Sequence, residues 1–313
     1  MFSRPMIDRT AFWGVSWYAI LIVTGIVLAL LLCSREARRQ RLPQDLLVDF
    51  LLYAIPLGIV GARLYYVAFR FNNFAEDPLS IFNIREGGLA IYGAVIGGLI
   101  AARIVSRRHG VPMLRLLDVV APGLVLAQGI GRWGNYINME AYGLRISEEA
   151  LQFFPFAVEI PVGDVWYWHM ATFFYESVWD LAVFLLLMAT RRRMRRSGDV
   201  FLWYSALYGA GRYVIEGFRE DSLMLGNLRV SQLLSLGLCL AAFVILALRA
   251  IRLHHGRSVL AAVILVLILA LGPVGGMLLM GTGGSALALL PPLCLLIASF
   301  YLYHQTQPAA TEV

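Results

Sequence analysis

Charged residues are scarce in this sequence: Asp, Glu, Lys and Arg make up 15% of its 313 residues. Soluble domains carry about 25%, whereas 59% of this chain is hydrophobic, so the composition excludes an ordinary soluble protein and predicts a polytopic membrane protein. Cysteine is also scarce, and its three residues lie far apart in apolar segments: Cys33, Cys239 and Cys294. That spacing fits neither a disulfide framework nor a metal site.

Weakly charged segments of membrane-spanning length divide the chain into candidate helices. We predict seven of them, at residues 11–33, 50–69, 89–105, 116–131, 168–190, 200–217 and 230–248. The uncharged stretch 258–303 is too long for one helix and has a glycine-rich break at 281–284, so we predict two spans there. The fold class is therefore all-α, a membrane bundle of about nine helices.

Arginine clusters follow the first, third, fifth and seventh predicted spans. Positive loops face the cytoplasm, which predicts that the amino terminus and the loop 135–167 lie outside. The loop is long, and its aromatic residues with Pro155 and Pro161 indicate an ordered arm at the membrane surface. The net charge is +6, but it resides in these short loops, so we expect no nucleic-acid partner.

A polar string, residues 131–143, directly follows an uncharged segment. Charged groups in lipid cost about 2.5–3.5 kcal/mol each on insertion scales, and they usually face a polar cavity that serves function. Arg132 and Asn135 are three residues apart, so they share one face if the helix continues that far. The string therefore predicts a polar site at one end of the fourth span.

A second polar stripe lies on the sixth span, where Tyr208, Arg212, Glu216 and Arg219 are spaced four, four and three residues apart. This spacing puts them on one helix face, with Arg212 at the predicted depth of Arg132. Two converging guanidinium groups favour a phosphate or another anion. The structural alternative is that these ionisable groups only pair with one another to hold the bundle together.

Together these segments resemble the prolipoprotein diacylglyceryl transferase family. The resemblance covers roughly residues 10–250 and rests on the following motifs: Trp17-Tyr18, Gly61-Ala62-Arg63-Leu64-x-Tyr66, Gly87-Gly88-x-x-Ile91-Tyr92-Gly93, Asp118, Gly131-Arg132-x-Gly134-Asn135-Tyr136-x-Asn138-x-Glu140-x-x-Gly143, Tyr175-Glu176 and Tyr208-Gly209-x-x-Arg212-x-x-x-Glu216-x-x-Arg219. It implies a membrane core at 1–253, including the external arm 135–167, and an additional helical hairpin at 254–313.

The resemblance also implies an activity: the diacylglyceryl group of phosphatidylglycerol moves to the lipobox cysteine thiol of a preprolipoprotein, forming a thioether and releasing glycerol-1-phosphate. The expected partners are phosphatidylglycerol, the lipobox peptide and membrane lipids. No metal and no organic cofactor are implied. The expected location is the bacterial inner membrane, with several spans and the active site toward the outer leaflet.

Residue roles follow from the matched motifs. The expected catalytic residues are Tyr92, Arg132, Arg212 and Glu140, and the expected substrate-binding residues are Tyr18, Arg63, Asn135, Asn138, Gly143, Tyr208, Glu216 and Arg219. We expect the two glutamates to hold the arginines that stabilise the leaving phosphate. Many family members have histidine at the position of Tyr92. Either Tyr92 is the base that takes the thiol proton, or no base is needed because the positive field of the arginines alone lowers the thiol pKa.

Two other function classes are compatible with part of this sequence. A lipid or anionic-solute transporter would use the arginines as a substrate site, and a structural membrane subunit would use them as ion pairs. Neither class accounts for one polar cluster at one predicted depth, and no clear internal repeat favours a transporter with inverted repeats.

Overall fold

The computed structural model describes residues 9–11, 13–74, 77–83, 87–194, 196–220, 224–225, 228–254, 263 and 290–306. Within these ranges the chain forms long helices, which we number α1 (Trp17–Arg39), α2 (Leu46–Phe69), α3 (Ile91–Arg108), α4 (Met113–Asn138), α5 (Thr172–Thr190), α6 (Asp199–Glu216), α7 (Val230–His254) and α8 (Leu290–Thr306). Two antiparallel strand pairs join β1 (Ala157–Val162) to β2 (Val165–Met170) and β3 (Met224–Leu225) to β4 (Leu228–Arg229). Short 3-10 helices occupy Phe71–Phe74, Pro78–Phe82 and Glu149–Leu151.

Helices α1, α2, α4, α5 and α7 are long and apolar enough to cross a membrane. The helices α3 and α6 are shorter, at 18 residues each, and each contains three charged residues: three arginines in α3, and Asp199, Arg212 and Glu216 in α6. Large apolar side chains on α2 are exposed, with Leu52 at 65% and Leu64 at 61%, as expected for helices that face lipid. The chain is a mostly helical, polytopic membrane protein.

The predicted spans correspond closely to helices, with three qualifications. The first predicted span within 258–303, with the break at 281–284, lies outside the described residues. The prediction of a helical membrane protein is confirmed as a mostly helical fold, to which the loop 135–167 adds β1 and the strand that pairs with it. The loop also begins later than predicted, because α4 continues to Asn138 before Met139 adopts a left-handed φ of 56°.

One compact unit comprises Ala29–Val120. Helices α2 and α3 of this unit pack backbone to backbone. The contact is so close that a Cβ on Gly61 would overlap the backbone of Gly93. The amide of Ala90 donates a hydrogen bond to the carbonyl of Ala62 at 3.0 Å. These contacts fix the start of α3 against α2.

The other compact unit comprises Met1–Leu28 and Ala121–Val313. Helix α6 packs against α5 and α7, and α8 packs against α7. The Trp133 indole donates a hydrogen bond to Ser177 Oγ at 3.1 Å, which joins α4 to α5. The Trp179 indole lies against Gly211 and donates to the Leu207 carbonyl at 2.9 Å, which joins α5 to α6. Helices α4 and α6, which carry predicted site residues, are therefore joined through α5.

The β1–β2 hairpin is an ordered part of this larger unit, in agreement with the prediction of an ordered arm. Its strands alternate, so the buried side chains of Val158 and Ile160 lie on one face. That face packs against Phe173 of α5 and against Trp133 and Tyr136 of α4. The hairpin thus rests on the two helix ends beside the polar string.

Candidate active site

Arg132 and Arg212 converge on one carboxylate, that of Glu176 on α5. Arg132 Nη2 lies 2.6 Å from Glu176 Oε1, and Arg212 Nη1 lies 2.6 Å from Oε2. The Glu176 side chain is 4% exposed, whereas those of Arg132 and Arg212 are 19% and 12% exposed. The predicted convergence of the two arginines is confirmed, with a glutamate between them.

The stripe on α6 forms one continuous ion-pair network. Arg212 Nη2 lies 2.7 Å from Glu216 Oε2, and Arg219 Nη1 lies 3.4 Å from the same oxygen. Tyr208, one turn before Arg212, interacts electrostatically with Glu176 and with both converging arginines. The prediction that Tyr208, Arg212 and Glu216 share a helix face and that Glu216 holds Arg212 is confirmed, whereas Arg219 lies beyond the end of α6 and joins the network from there.

Arg229, which the sequence analysis did not single out, stabilises the end of this stripe. Its guanidinium donates hydrogen bonds to the carbonyls of Glu216 and Arg219, the latter at 2.8 Å. These carbonyls lie at the last residue of α6 and three residues beyond it, where the regular helical hydrogen-bond pattern has stopped. The only sequence signal is a lone arginine shortly before an apolar span, which is common at membrane boundaries.

Glu140 occupies a different place from the one predicted. Its Oε1 accepts a hydrogen bond from Asn135 Nδ2 at 3.0 Å and one from Asn138 Nδ2 at 3.4 Å, and no contact in the described part of the chain pairs it with an arginine. The expectation that Glu140 holds an arginine was therefore wrong. Because α4 extends to Asn138, both asparagine amides are presented to the carboxylate just beyond the helix end.

Tyr18 connects this amide group to the arginines. Its ring lies directly against Gly134, where a Cβ would overlap the ring. The phenol is close enough to interact electrostatically with Glu140 and with Arg132. Glycine is required at position 134 because the Tyr18 ring, on α1, occupies the space that any side chain would take.

Gly143 joins three segments at the foot of the site. Its amide donates to the Met170 carbonyl at 2.9 Å, and its backbone forms an antiparallel bridge with Arg219. A Cβ at this position would lie 2.7 Å from the Met170 Cβ and 2.8 Å from the Thr172 Cγ2. The geometry gives Gly143 a packing role that positions Arg219, whereas the sequence predicted direct substrate binding.

Arg63 belongs to the unit Ala29–Val120 and is fully engaged there. Its guanidinium donates to five backbone carbonyls at 2.7–3.1 Å, those of Ser80, Ile81, Asn83, Gly87 and Gly88. A guanidinium has five N–H groups, so none remains for a phosphate unless a carbonyl is released. The structure thus makes Arg63 an anchor for the loop before α3, in contrast to the predicted binding role.

Tyr92 lies in the same unit as Arg63, as the second residue of α3. It is half-buried, and its ring centroid lies 5.6 Å from that of Tyr65 on α2. The close backbone contact at Gly93 holds this first turn in place. Its hydroxyl is therefore presented from a fixed backbone position.

Glu176 and Asp180 are the acidic residues that sequence reasoning undervalued. They lie one turn apart on α5, and Asp180 is 0% exposed with no hydrogen-bond partner for either carboxylate oxygen among the described residues. The available signal was two acids within one otherwise apolar span. Within the same described ranges, no group of three or more His, Cys, Asp or Glu side chains is arranged to hold a metal ion.

The amide group offers a direct test. We expect Asn135→Ala and Glu140→Ala to insert and accumulate as the parent does but to lose transfer activity at least about tenfold, because each change removes a hydrogen bond that orients the site. Glu149→Ala, at an exposed acid of the arm, is the matched control and should leave activity unchanged. Aggregation or degradation of both variants would instead identify these residues as packing elements.

The residues of the polar cluster fall inside the part of the chain that matches known proteins. A family model described as prolipoprotein diacylglyceryl transferase matches residues 6–248. A phosphatidylglycerol--prolipoprotein diacylglyceryl transferase of Bacillus cereus (strain Q1) is 42% identical over 254 residues, covering 79% of this chain and 94% of that protein. One of the same name from Bacillus anthracis (strain CDC 684 / NRRL 3495) is 41% identical with the same coverage. The chain belongs to the prolipoprotein diacylglyceryl transferase family.

Proposed function

We propose that this chain transfers the diacylglyceryl group of phosphatidylglycerol to the lipobox cysteine thiol of a preprolipoprotein. The observation that carries the proposal is the pair of partly exposed arginines, Arg132 and Arg212, that converge in a membrane helix protein of this family. A guanidinium pair matches the geometry and charge of a phosphodiester. The polar cluster therefore has the chemistry to recognise the lipid headgroup.

In the transfer, the thiolate sulfur forms a bond with the glyceryl carbon that carries the phosphate. The carbon–oxygen bond to phosphate breaks, the oxygen keeps the electron pair, and glycerol-1-phosphate leaves. Arg132 and Arg212 stabilise the charge that develops on the phosphate, and this effect is strong because both arginine side chains are largely shielded from water. The Asn135–Asn138–Glu140 group, with Tyr18 beside it, orients the polar end of the lipid.

The thiol must lose its proton before it attacks, because the thiolate is the reactive nucleophile. Two routes fit the residues. In the first, the Tyr92 hydroxyl accepts or relays the proton. In the second, the positive field of the arginines lowers the thiol pKa, and solvent or substrate takes the proton. The two routes give different outcomes for a tyrosine-to-phenylalanine change.

The proposal includes a location. The arginine-rich segments after α1, α3, α5 and α7 favour the cytoplasmic side of a bacterial inner membrane. Arg132 lies near the carboxyl end of α4, and Arg212 lies near the carboxyl end of α6. These helix ends are remote from the arginine-rich segments that precede the two helices. The site then opens toward the outer leaflet, the amino terminus and the arm lie outside, and the bundle has about nine spans.

A reconstituted assay tests the function. Purified protein in vesicles containing phosphatidylglycerol is incubated with a lipobox peptide, and the peptide mass is measured. We expect a mass increase equal to one diacylglyceryl group, with glycerol-1-phosphate released in equal amount. A peptide with serine in place of its cysteine, and vesicles of phosphatidylethanolamine alone, are the controls. A peptide that remains unmodified with folded, inserted protein would contradict the proposal and favour the transporter alternative.

We further propose that residues 254–313 form an addition to a transferase core at 1–253. The family match ends at residue 248, and the site residues precede this addition. Helix α8 nevertheless contributes to the packing of the larger unit, since Leu295 is fully buried in the same cluster as Phe243 of α7.

A truncation separates these contributions. We expect a chain ending at residue 257 to keep transfer activity within about threefold of the parent while its thermal midpoint falls, because the buried surface of α8 is lost. Thermal unfolding in detergent and the peptide assay measure the two effects on the same preparation. A stably inserted truncation without activity would show that the addition completes the lipid site.

A further inference from the structure

We propose that Glu176 is an internal anion: its carboxylate holds the phosphate position between Arg132 and Arg212 in the lipid-free protein and is displaced when the lipid phosphate binds. The inference rests on the proposed function, because it takes the phosphate of a lipid headgroup as the displacing ligand. It gives Glu176 a positioning role that the family resemblance did not assign.

The geometry of the carboxylate carries the argument. Its two oxygens each face a different guanidinium at 2.6 Å. Carboxylates and phosphates both present paired oxygens to the guanidinium fork, so two phosphate oxygens can replace the two carboxylate oxygens. The carboxylate is 4% exposed and the arginines are 19% and 12% exposed, so an incoming anion reaches the arginines first.

The arginines are able to exchange this partner. Arg212 retains a second carboxylate, Glu216 at 2.7 Å, and therefore stays oriented when Glu176 leaves. Arg132 has spare donor capacity, because its Nε has no hydrogen-bond partner among the described residues. Without the internal anion, the two guanidinium groups would lose the carboxylate that contacts both of them, and Glu216 would contact only one of the two, Arg212. Two cations close together with less compensating charge are unfavourable at low dielectric.

The displaced side chain has a polar neighbour. The Tyr208 hydroxyl interacts with both Glu176 and Arg132, and a phenol can donate a hydrogen bond to a released carboxylate. Helix α5 itself is held by the Trp133–Ser177 and Trp179–Leu207 hydrogen bonds. The exchange is therefore a rotation of the Glu176 side chain on a fixed helix.

The test measures affinity without chemistry. Phosphatidylglycerol in nanodiscs and glycerol-1-phosphate in solution are titrated against the parent and Glu176→Gln, with no thiol present. Removing a competing negative charge should tighten both affinities at least about tenfold, or about 1.4 kcal/mol. Glu176→Asp restores the charge and should return the affinities toward the parent value. Unchanged or weaker binding by Glu176→Gln would show that the carboxylate only supports the arginines.

Two controls keep the outcome interpretable. Asp199→Asn removes a buried carboxylate that pairs with Arg249 at 2.7 Å on the same unit, and it should lower stability without changing either affinity. If Glu176→Gln does not fold, difference infrared spectra of the parent test the proposal instead. Lipid binding should shift a carboxylate stretching band, and the absence of a shift would overturn the proposal. The peptide assay on the parent tests the transfer separately, so failure of transfer and failure of the internal-anion proposal are distinguishable.

Discussion

Replacing Arg132 or Arg212 with lysine is expected to lower kcat/KM for phosphatidylglycerol at least about tenfold, which is about 1.4 kcal/mol at the transition state. Lysine keeps the positive charge but lacks the planar fork of donors. Arg212 uses that fork to contact Glu176 and Glu216 at once, at 2.6 and 2.7 Å. A single ammonium group cannot reproduce both contacts and also bind phosphate, so the loss should be larger at 212 than at 132.

The control for this prediction is Arg145→Lys. Arg145 lies on the exposed arm with its guanidinium 3.7 Å above the Tyr167 ring, apart from the ion-pair network. The same change of side chain there should leave transfer rates unchanged. Rates are measured by the peptide assay at several lipid fractions, so that kcat and KM are separated. Near-parent rates for both lysine variants would remove the arginines from the mechanism.

Sequence reasoning reached the site through spacing within helices. The intervals between Tyr208, Arg212 and Glu216 predict a shared face, which α6 shows, and Arg219 reaches the same carboxylate from just beyond the helix end. Spacing says nothing about which helix supplies the opposing charge, because that depends on how α4, α5 and α6 pack. The glutamate between the two arginines therefore became visible only in three dimensions.

Arg63 shows a second limit. Its partners are five backbone carbonyls of the residues before α3, and every residue has a carbonyl, so no sequence pattern marks them. A buried arginine in a predicted span suggested a ligand, whereas the loop satisfies all its donors. Glu140 is a related case. Because α4 extends to Asn138, an asparagine amide contacts the Glu140 carboxylate, where an arginine was expected.

The expected effect of Tyr92→Phe is the near-complete loss of transfer, at least about a hundredfold, the usual size of a general acid–base contribution. Only the hydroxyl is removed, and the ring contact with Tyr65 at 5.6 Å is kept. The backbone around it is fixed by the Gly61–Gly93 contact and by the Ala90–Ala62 hydrogen bond. The prediction follows the proposed route in which the Tyr92 hydroxyl accepts or relays the thiol proton, because a phenylalanine side chain cannot do so.

Tyr53→Phe is the matched control on the same helix pair. The Tyr53 hydroxyl accepts a hydrogen bond from Arg108 at 3.0 Å, at the opposite end of α2 and α3, so its removal should leave transfer unchanged. Both variants and Tyr92→His are compared by initial rates in the peptide assay. An imidazole titrates near neutral pH, so it can replace the phenol as a base. A Tyr92→Phe rate within about threefold of the parent, less than about 1 kcal/mol of barrier, would show that the arginine field alone activates the thiol.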